Sequence, residues 1–175
     1  MSDVAPGKKT RRDLYSNIAL PSVTLSAANT LTFSQLQMGI GLFAGQALLL
    51  HRVLWFPNVA TVREIVAATD SLYMALTVSN RLAGIADVTD PSVIALQAVV
   101  GVGANVESVK TPLVSDFTQL PGGGKLIPAN PLFLAGYSLG FAAAAVIRAQ
   151  LDFSFVQLGD ADYLELLQSM YPITV

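Results

Sequence analysis

The feature that most constrains this fold is a strict alternation of apolar and polar side chains. Between Ile147 and Phe155 every second residue is apolar, and the residues between them are Arg148, Gln150, Asp152 and Ser154. A period of two places the apolar side chains on one face of a β-strand, whereas a helix would need a period of about 3.6. The segment is therefore predicted to be a strand with one buried face and not part of a membrane-spanning helix.

Other segments show the same alternation or the composition of buried strands. They are short, rich in β-branched or aromatic residues, and bounded by Pro, Gly or Asn. Within one of them Pro112 requires an edge position or a bulge. The predicted strands are Thr30–Ser34, Leu48–Phe56, Ser71–Ser79, Val93–Val102, Val106–Phe117, Leu132–Leu139 and Ile147–Phe155. This pattern predicts about eight strands and an all-β protein.

Helical signals are confined to two places. Val59–Asp70 has the spacing for one or two helical turns, and a short helix is predicted near the carboxy terminus. There Asp160 is predicted to cap the helix and Asp162 to lie in its acidic first turn. The predicted apolar face of this helix is Tyr163, Leu164 and Leu167. No linker or repeat divides the chain, so residues 17–175 are predicted to form one sandwich or barrel domain.

The charges are few and unevenly distributed. Charged residues make up 13% of the chain and apolar residues 53%, although a typical charged share is about 25%. A folded protein of this mass exposes about 8,000 Å², so the shortage predicts that neighbouring copies or a membrane cover much of the surface. Residues 1–12 carry a net charge of +3 and the remainder −5. Residues 1–16 are predicted to be a flexible basic arm.

The basic side chains of this arm are Lys8, Lys9, Arg11 and Arg12. They are candidates for a weak, salt-sensitive contact with nucleic acid, and a merely solvated terminus is the structural alternative. The acidic body argues against a nucleic-acid groove. Trp55 and the phenylalanines lie inside apolar runs and are not interleaved with basic residues, which does not favour a base-stacking face.

Catalytic and metal-binding residues are scarce. His51 is the only histidine, and it lies beside Arg52 in a predicted buried strand. A metal site built on His51 would need further histidines or cysteines at ligand spacing, and the chain has neither. A structural role is therefore predicted for His51, and neither catalytic residues nor a cofactor are expected.

Two polar segments have a functional and a structural interpretation. Gly122–Gly124 followed by Lys125 superficially resembles a phosphate-binding loop, but Gln119 and Leu126 occupy positions that the P-loop pattern assigns to Gly and to Ser or Thr. A tight connection with positive φ angles between strands is predicted instead. Asp87 and Asp90 have the spacing for a calcium site, although turn formation is the commoner role of such residues.

The carboxy-terminal half carries a resemblance to a known family. Leu120–Gly136 (LPGGGKLIPANPLFLAG) precedes a long alternating strand and Asp160–Gln168 (DADYLELLQ). This layout resembles the small single jelly-roll capsid proteins of icosahedral viruses, and it is most similar to those of tailless Thermus phages with an internal membrane. The resemblance implies a β-sandwich of two four-stranded sheets that assembles into capsomers and has no catalytic residues.

The expected function is therefore that of a virion structural protein, made in the host cytoplasm and located in the capsid shell. The implied partners are further copies of the chain, other capsid proteins and a membrane beneath the shell, with no small-molecule substrate. The alternative is a jelly-roll module that binds a carbohydrate or receptor through loop residues such as Asp87, Asp90 and Tyr137. A cupin-like enzyme is disfavoured because its metal site needs several histidines.

Overall fold

The architecture comes from a computed structural model, which describes residues 11–12, 16–25, 30–37, 46–58, 61, 65, 67, 69–80, 90–101, 112–128 and 131–170. These residues contain eleven strands and a carboxy-terminal helix. The strands are β1 (Arg11–Arg12), β2 (Asn17–Ala19), β3 (Ser22–Leu25), β4 (Thr32–Gln35), β5 (Gln46–Pro57), β6 (Ser71–Thr77), β7 (Val93–Val100), β8 (Leu113–Asp116), β9 (Lys125–Pro128), β10 (Phe133–Leu139) and β11 (Ala145–Gln157). The helix α1 spans Asp160–Met170.

The strands form two antiparallel sheets. In the first sheet, β11 pairs with β5 along its length, while β1, β2 and β3 follow one another along the other edge of β11. β8 and β9 line the far edge of β5 in the same way. The first sheet is thus four strands wide although it contains seven strands. The second sheet has the order β4, β10, β6, β7.

The pairings are nested along the chain. β3 pairs with the last strand β11, β4 with β10, β5 with β8 and β9, and β6 with β7. Such nesting results when one long antiparallel hairpin is wrapped into two facing sheets, which is the jelly-roll arrangement. The predicted fold class is confirmed: this is an all-β jelly-roll sandwich with a short carboxy-terminal helix.

One continuous core fills the space between the sheets. Large side chains from both sheets are fully buried in it, and each contributes about 1.5–3 kcal/mol relative to an exposed position. The largest are Trp55, Leu25, Leu48, Leu50, Ile65, Leu72, Met74, Leu76, Ile127, Leu132, Leu134 and Ile147. The Trp55 indole N–H donates a 3.0 Å hydrogen bond to the Ser115 hydroxyl, which satisfies the polar atom of the largest core side chain.

The long predicted strands agree with β4, β5, β6, β7, β10 and β11 to within a few residues at each end. Of the predicted strand Val106–Phe117, the structure contains Leu113–Asp116 as β8, and residues 106–111 lie outside the described residues. β1, β2, β3 and β9 were not predicted. Each has at most four residues; β4 is equally short, but the alternation that predicted it extends back to Thr30, beyond the strand itself.

The carboxy-terminal helix is present, but two details of its prediction were wrong. Asp160 is the first helical residue and not the cap, because the carbonyl of Gly159 accepts the first intrahelical hydrogen bond, from the Tyr163 N–H at 2.9 Å. Leu164 is 58% exposed. The inward face has the i, i+3, i+4, i+7 spacing of Tyr163, Leu166, Leu167 and Met170.

Two other sequence predictions fall largely outside the described residues. Of the turn predicted in Val59–Asp70, the structure describes Thr61, Ile65, Ala67, Thr69 and Asp70, of which Thr61 is helical. Of the predicted arm, residues 1–16, the structure describes Arg11, Arg12 and Ser16; Arg11 and Arg12 pair with Gln157 and Val156 of β11. The boundary of the arm stays a prediction. Among the described residues, no helix is both long enough and apolar enough to cross a membrane.

Candidate functional site on the outer face of the first sheet

The outer face of the first sheet carries a row of charged side chains that crosses four strands. In an antiparallel pair, directly opposite residues share a face. Ile18 lies opposite Asp152, Asp152 opposite Arg52, and Arg52 opposite Asp116. We call Ile18, Asp152, Arg52 and Asp116 the acidic row, because its formal net charge is −1.

Asp152 at the centre of this row is fully engaged. Its Oδ2 accepts hydrogen bonds from Arg52 Nη2 at 2.7 Å and Nε at 3.1 Å, and its Oδ1 accepts one from Gln150 Nε2 at 2.9 Å. The carboxylate is nearly buried, whereas half of the Arg52 side chain remains exposed. Both carboxylate oxygens therefore have partners within the protein, and Asp152 fixes the arginine in place.

Asp116 at the end of the acidic row is exposed and stays charged to low pH. Its pKa is lowered first by the hydrogen bond from the Thr118 hydroxyl, at 2.7 Å, and then by the Thr118 backbone N–H, at 2.8 Å. The positive charge of Arg52 lowers the pKa further. Asp116 therefore keeps its negative charge well below neutral pH.

His51 lies beside this row at a β-bulge, where the pairing moves from Arg52–Asp152 to Leu50–Phe153. Its Nδ1 is 2.7 Å from the carbonyl oxygen of Gly123, and its Nε2 is 2.9 Å from Ser154 Oγ. A carbonyl can only accept, so Nδ1 carries the proton in the neutral ring and Nε2 accepts from the serine hydroxyl.

This histidine–serine pair has the distances of a base and a nucleophile. Ser154 is only 3% exposed, however, so a substrate has no access to its hydroxyl. The contacts instead fasten the loop between β8 and β9 to the sheet, because His51 also accepts the Phe117 N–H at its carbonyl, at 2.8 Å. The structural role predicted for His51 agrees with these contacts.

A second serine occurs in a sequence that matches a catalytic motif. Gly136–Gly140 reads Gly-Tyr-Ser-Leu-Gly, the G-x-S-x-G spacing of a nucleophile elbow. Ser138 nevertheless lies within strand β10 opposite the core residue Leu72, it is buried, and its hydroxyl has no hydrogen-bond partner. A strand position without a base or an exposed hydroxyl does not form a nucleophile elbow.

The glycine-rich segment forms the connection that the sequence predicted. Gly122 and Gly123 have φ angles of 86° and 75°, and the loop joins β8 to β9. Lys125 at its end points toward the second sheet, donating a 3.0 Å hydrogen bond from Nζ to the Ile94 carbonyl and lying 5.9 Å from the Phe117 ring centroid. Burial lowers the pKa of Lys125, and the side chain bridges the sheets instead of binding phosphate.

The remaining candidate residues are dispersed. Asp90 Oδ1 accepts hydrogen bonds from the Ser92 backbone N–H and hydroxyl, at 2.8 and 2.6 Å, which is a turn-forming role. Tyr137 packs against Tyr73 on the outer face of the second sheet, with ring centroids 6.2 Å apart. Asp87, Lys8 and Lys9 lie outside the described residues. The described residues hold no cluster of three or more potential metal ligands.

Sequence reasoning missed the apolar side chains that surround the charged row. Leu20 and Ile18 are 74% and 63% exposed, and Phe56 and Val114 are also exposed. Ile18, Phe56 and Val114 lie opposite outward-facing residues of the first sheet, and Leu20 follows β2 directly. Alternation predicts which residues share a face, but the register between distant strands is needed to show that these four lie on one surface.

These observations define the class of protein by fold alone, as a jelly-roll β-sandwich. No protein-family model matches the sequence, and no curated protein matches it either. Among solved structures, a chain of Desmodium yellow mottle tymovirus is similar, with 14% sequence identity and a TM-score of 0.36. The match covers 83% of this chain and 90% of the tymovirus chain. A TM-score this low establishes nothing about function.

Proposed function

We propose that this chain is a virion structural protein, a capsid subunit that associates with further copies of itself and is located in the shell. The observation that carries the proposal is the cluster of exposed apolar side chains on one outer face of a jelly-roll sandwich. Viral capsid proteins use this fold, as do lectins and cupins, so the fold alone does not decide between these functions.

Surface chemistry favours assembly over the other uses of the fold. Large apolar side chains on an outer sheet face are costly for a solitary soluble protein, and larger exposed patches of this kind mark interaction sites. With only 13% charged residues, the chain has few groups to keep such a surface dissolved. Covering it with neighbouring copies removes that cost, because subunit interfaces are more apolar than ordinary surface.

The finer parts of the proposal concern the shell. The similarity to small capsid proteins of Thermus phages, the icosahedral symmetry, the membrane beneath the shell and synthesis in the host cytoplasm all rest on the sequence resemblance. The basic arm would contribute a weak contact with nucleic acid through Lys8, Lys9, Arg11 and Arg12. Neutralising up to four phosphates gives a shallow dependence of affinity on salt, with a logarithmic slope of at most about −4.

The test is the mass of the purified full-length chain. Analytical ultracentrifugation at micromolar concentration is expected to show discrete multiples of 18.5 kDa, and negative-stain microscopy is expected to show closed assemblies of uniform size. A protein that remains a monomer throughout this range would contradict the proposal. A glycan array that binds the monomer would then favour the carbohydrate-binding alternative.

A further inference from the structure

Two more rows of side chains lie beside the acidic row on the outer face of the first sheet, and the uncharged pair Thr24–Val146 lies beyond them at the start of β11. The basic row has a formal charge of +1, and it consists of Ser22, Arg148 and Phe56. The neutral row lies between the basic and acidic rows and consists of Gln150, Leu54 and Val114, with Leu20 at its end. The three rows therefore carry charges of +1, 0 and −1 in order along the strands.

We infer that this face is a two-fold interface between two copies of the chain, stacked sheet against sheet with their strands antiparallel. This inference rests on the proposed function and assigns one of its contacts to a surface. The occupant is a second copy because the order of charges on the face is complementary to itself, and the area of the face is large enough for such a contact. An isologous interface requires this kind of self-complementarity.

The first observation is the order of the charges. A two-fold axis across the strands reverses the row order, so the basic row of one copy faces the acidic row of the other and the neutral rows face each other. Arg148 then faces the row that contains Asp152 and Asp116. An axis along the strands would place each row against the same row of the other copy, so Arg148 would face Ser22, Phe56 or a second Arg148 and meet no carboxylate. The charges therefore select the antiparallel stack, and sheets commonly pack with their strands aligned in this way.

The second observation is the area of the face. Beyond Asp152 the outer face is not accessible to a partner, since Ser154, the next residue of β11 on this face, is buried and hydrogen-bonded to His51. The open part extends along β11 from Ala145 to Asp152, which is about 27 Å, and it is four strands or about 19 Å wide. Stacking two copies would therefore bury about 1,000 Å² in total, which reaches the lower size limit of specific interfaces.

The other sheet provides a matched control. Among the described residues, its outer face has two exposed large apolar side chains, Val100 and Leu139. Directly opposite pairs on that face, such as Tyr137–Tyr73 and Phe33–Ala135, carry no charge. The described part of this face therefore shows no charge order that would select a second copy. Val114→Glu on the first sheet and Val100→Glu on the second introduce the same change at valines of similar exposure.

The experiment measures dimer affinity of full-length variants by analytical ultracentrifugation, with circular dichroism melting to establish folding. Val114→Glu is expected to raise the dissociation constant at least tenfold, whereas Val100→Glu is expected to change it less than threefold. Arg148→Asp is expected to weaken the dimer because both facing rows become negative. Arg148→Asp combined with Asp116→Arg reverses both rows, so it is expected to restore affinity to within threefold of the unaltered chain.

The restoration is the decisive result, because a misfolded single variant would not be rescued by a second charge change. If the unaltered chain associates but Val100→Glu disrupts it as much as Val114→Glu, or if the charge reversal fails to restore affinity, this interface is wrong and the proposed function stands. If the unaltered chain is monomeric, the proposed function fails as well. Co-flotation of that monomer with phosphatidylcholine vesicles, lost in Val114→Glu, would make lipid the occupant.

Discussion

Among the described residues, the hydroxyl of Ser138 is the buried side-chain polar group that has no hydrogen-bond partner. An unsatisfied buried hydroxyl costs about 1–3 kcal/mol, and removing it leaves only a small void. Ser138→Ala is therefore expected to raise the free energy of unfolding by about 1 kcal/mol in urea denaturation. Ser154→Ala is the control: its hydroxyl bonds to His51, so the same change is expected to lower stability by about 1 kcal/mol. Equal losses in both variants would contradict this interpretation.

Lys125 links stability to alkaline pH. Burial disfavours its ammonium form, so its pKa in the folded state lies below the unfolded value of 10.5. Between these two values the unfolded chain binds more protons, and stability rises with pH. Lys125→Met removes this rise. Urea denaturation from about pH 7 to pH 10.5 is therefore expected to show the unaltered protein gaining stability relative to Lys125→Met. A stability difference that does not change with pH would refute the expectation.

Among the elements, the turn between β10 and β11 depends on one glycine. Gly140 has a φ of 79°, and a Cβ at this position would overlap the Asp70 carboxylate. Gly123 has a similar φ of 75° but open space around it. Gly123→Ala is thus expected to cost about 1 kcal/mol from backbone conformation alone, and Gly140→Ala at least about 2 kcal/mol. Thermal melting of the two variants separates the steric contribution from the conformational one.

Among the secondary-structure elements, the long strands were predicted from the sequence and most of the very short ones were not. β6 and β11 contain enough residues to display a period of two, whereas β2, β3 and β9 do not. The inward face of α1 was misplaced by Leu164, since a few apolar residues close together fit several helical faces until the packing partner is known. The Arg52–Asp152 pair joins residues 100 positions apart, and periodicity carries no information about which distant strands pair.

For the whole molecule, the amino-terminal segment is predicted to contribute little to the domain. Its described residues Arg11 and Arg12 add only two paired positions at the end of β11. A variant lacking residues 1–12 is expected to melt within about 3 °C of the full chain by differential scanning calorimetry, because a loss below 1 kcal/mol shifts the melting temperature only slightly. A decrease of about 10 °C would make this segment an integral part of the sandwich.

The position of β11 has a consequence for how the protein is made. This strand is central in the first sheet, where it joins β5 to β1, β2 and β3, yet it follows all of them along the chain. During translation β1, β2 and β3 stay unpaired in this sheet, and one edge of β5 stays open, until residues 145–157 have left the ribosome. Pairing over such long sequence separations is slow, and until it occurs the unpaired strand edges can aggregate with other chains. Yield in a heterologous host should therefore improve with slower synthesis or with chaperones that shield nascent strands.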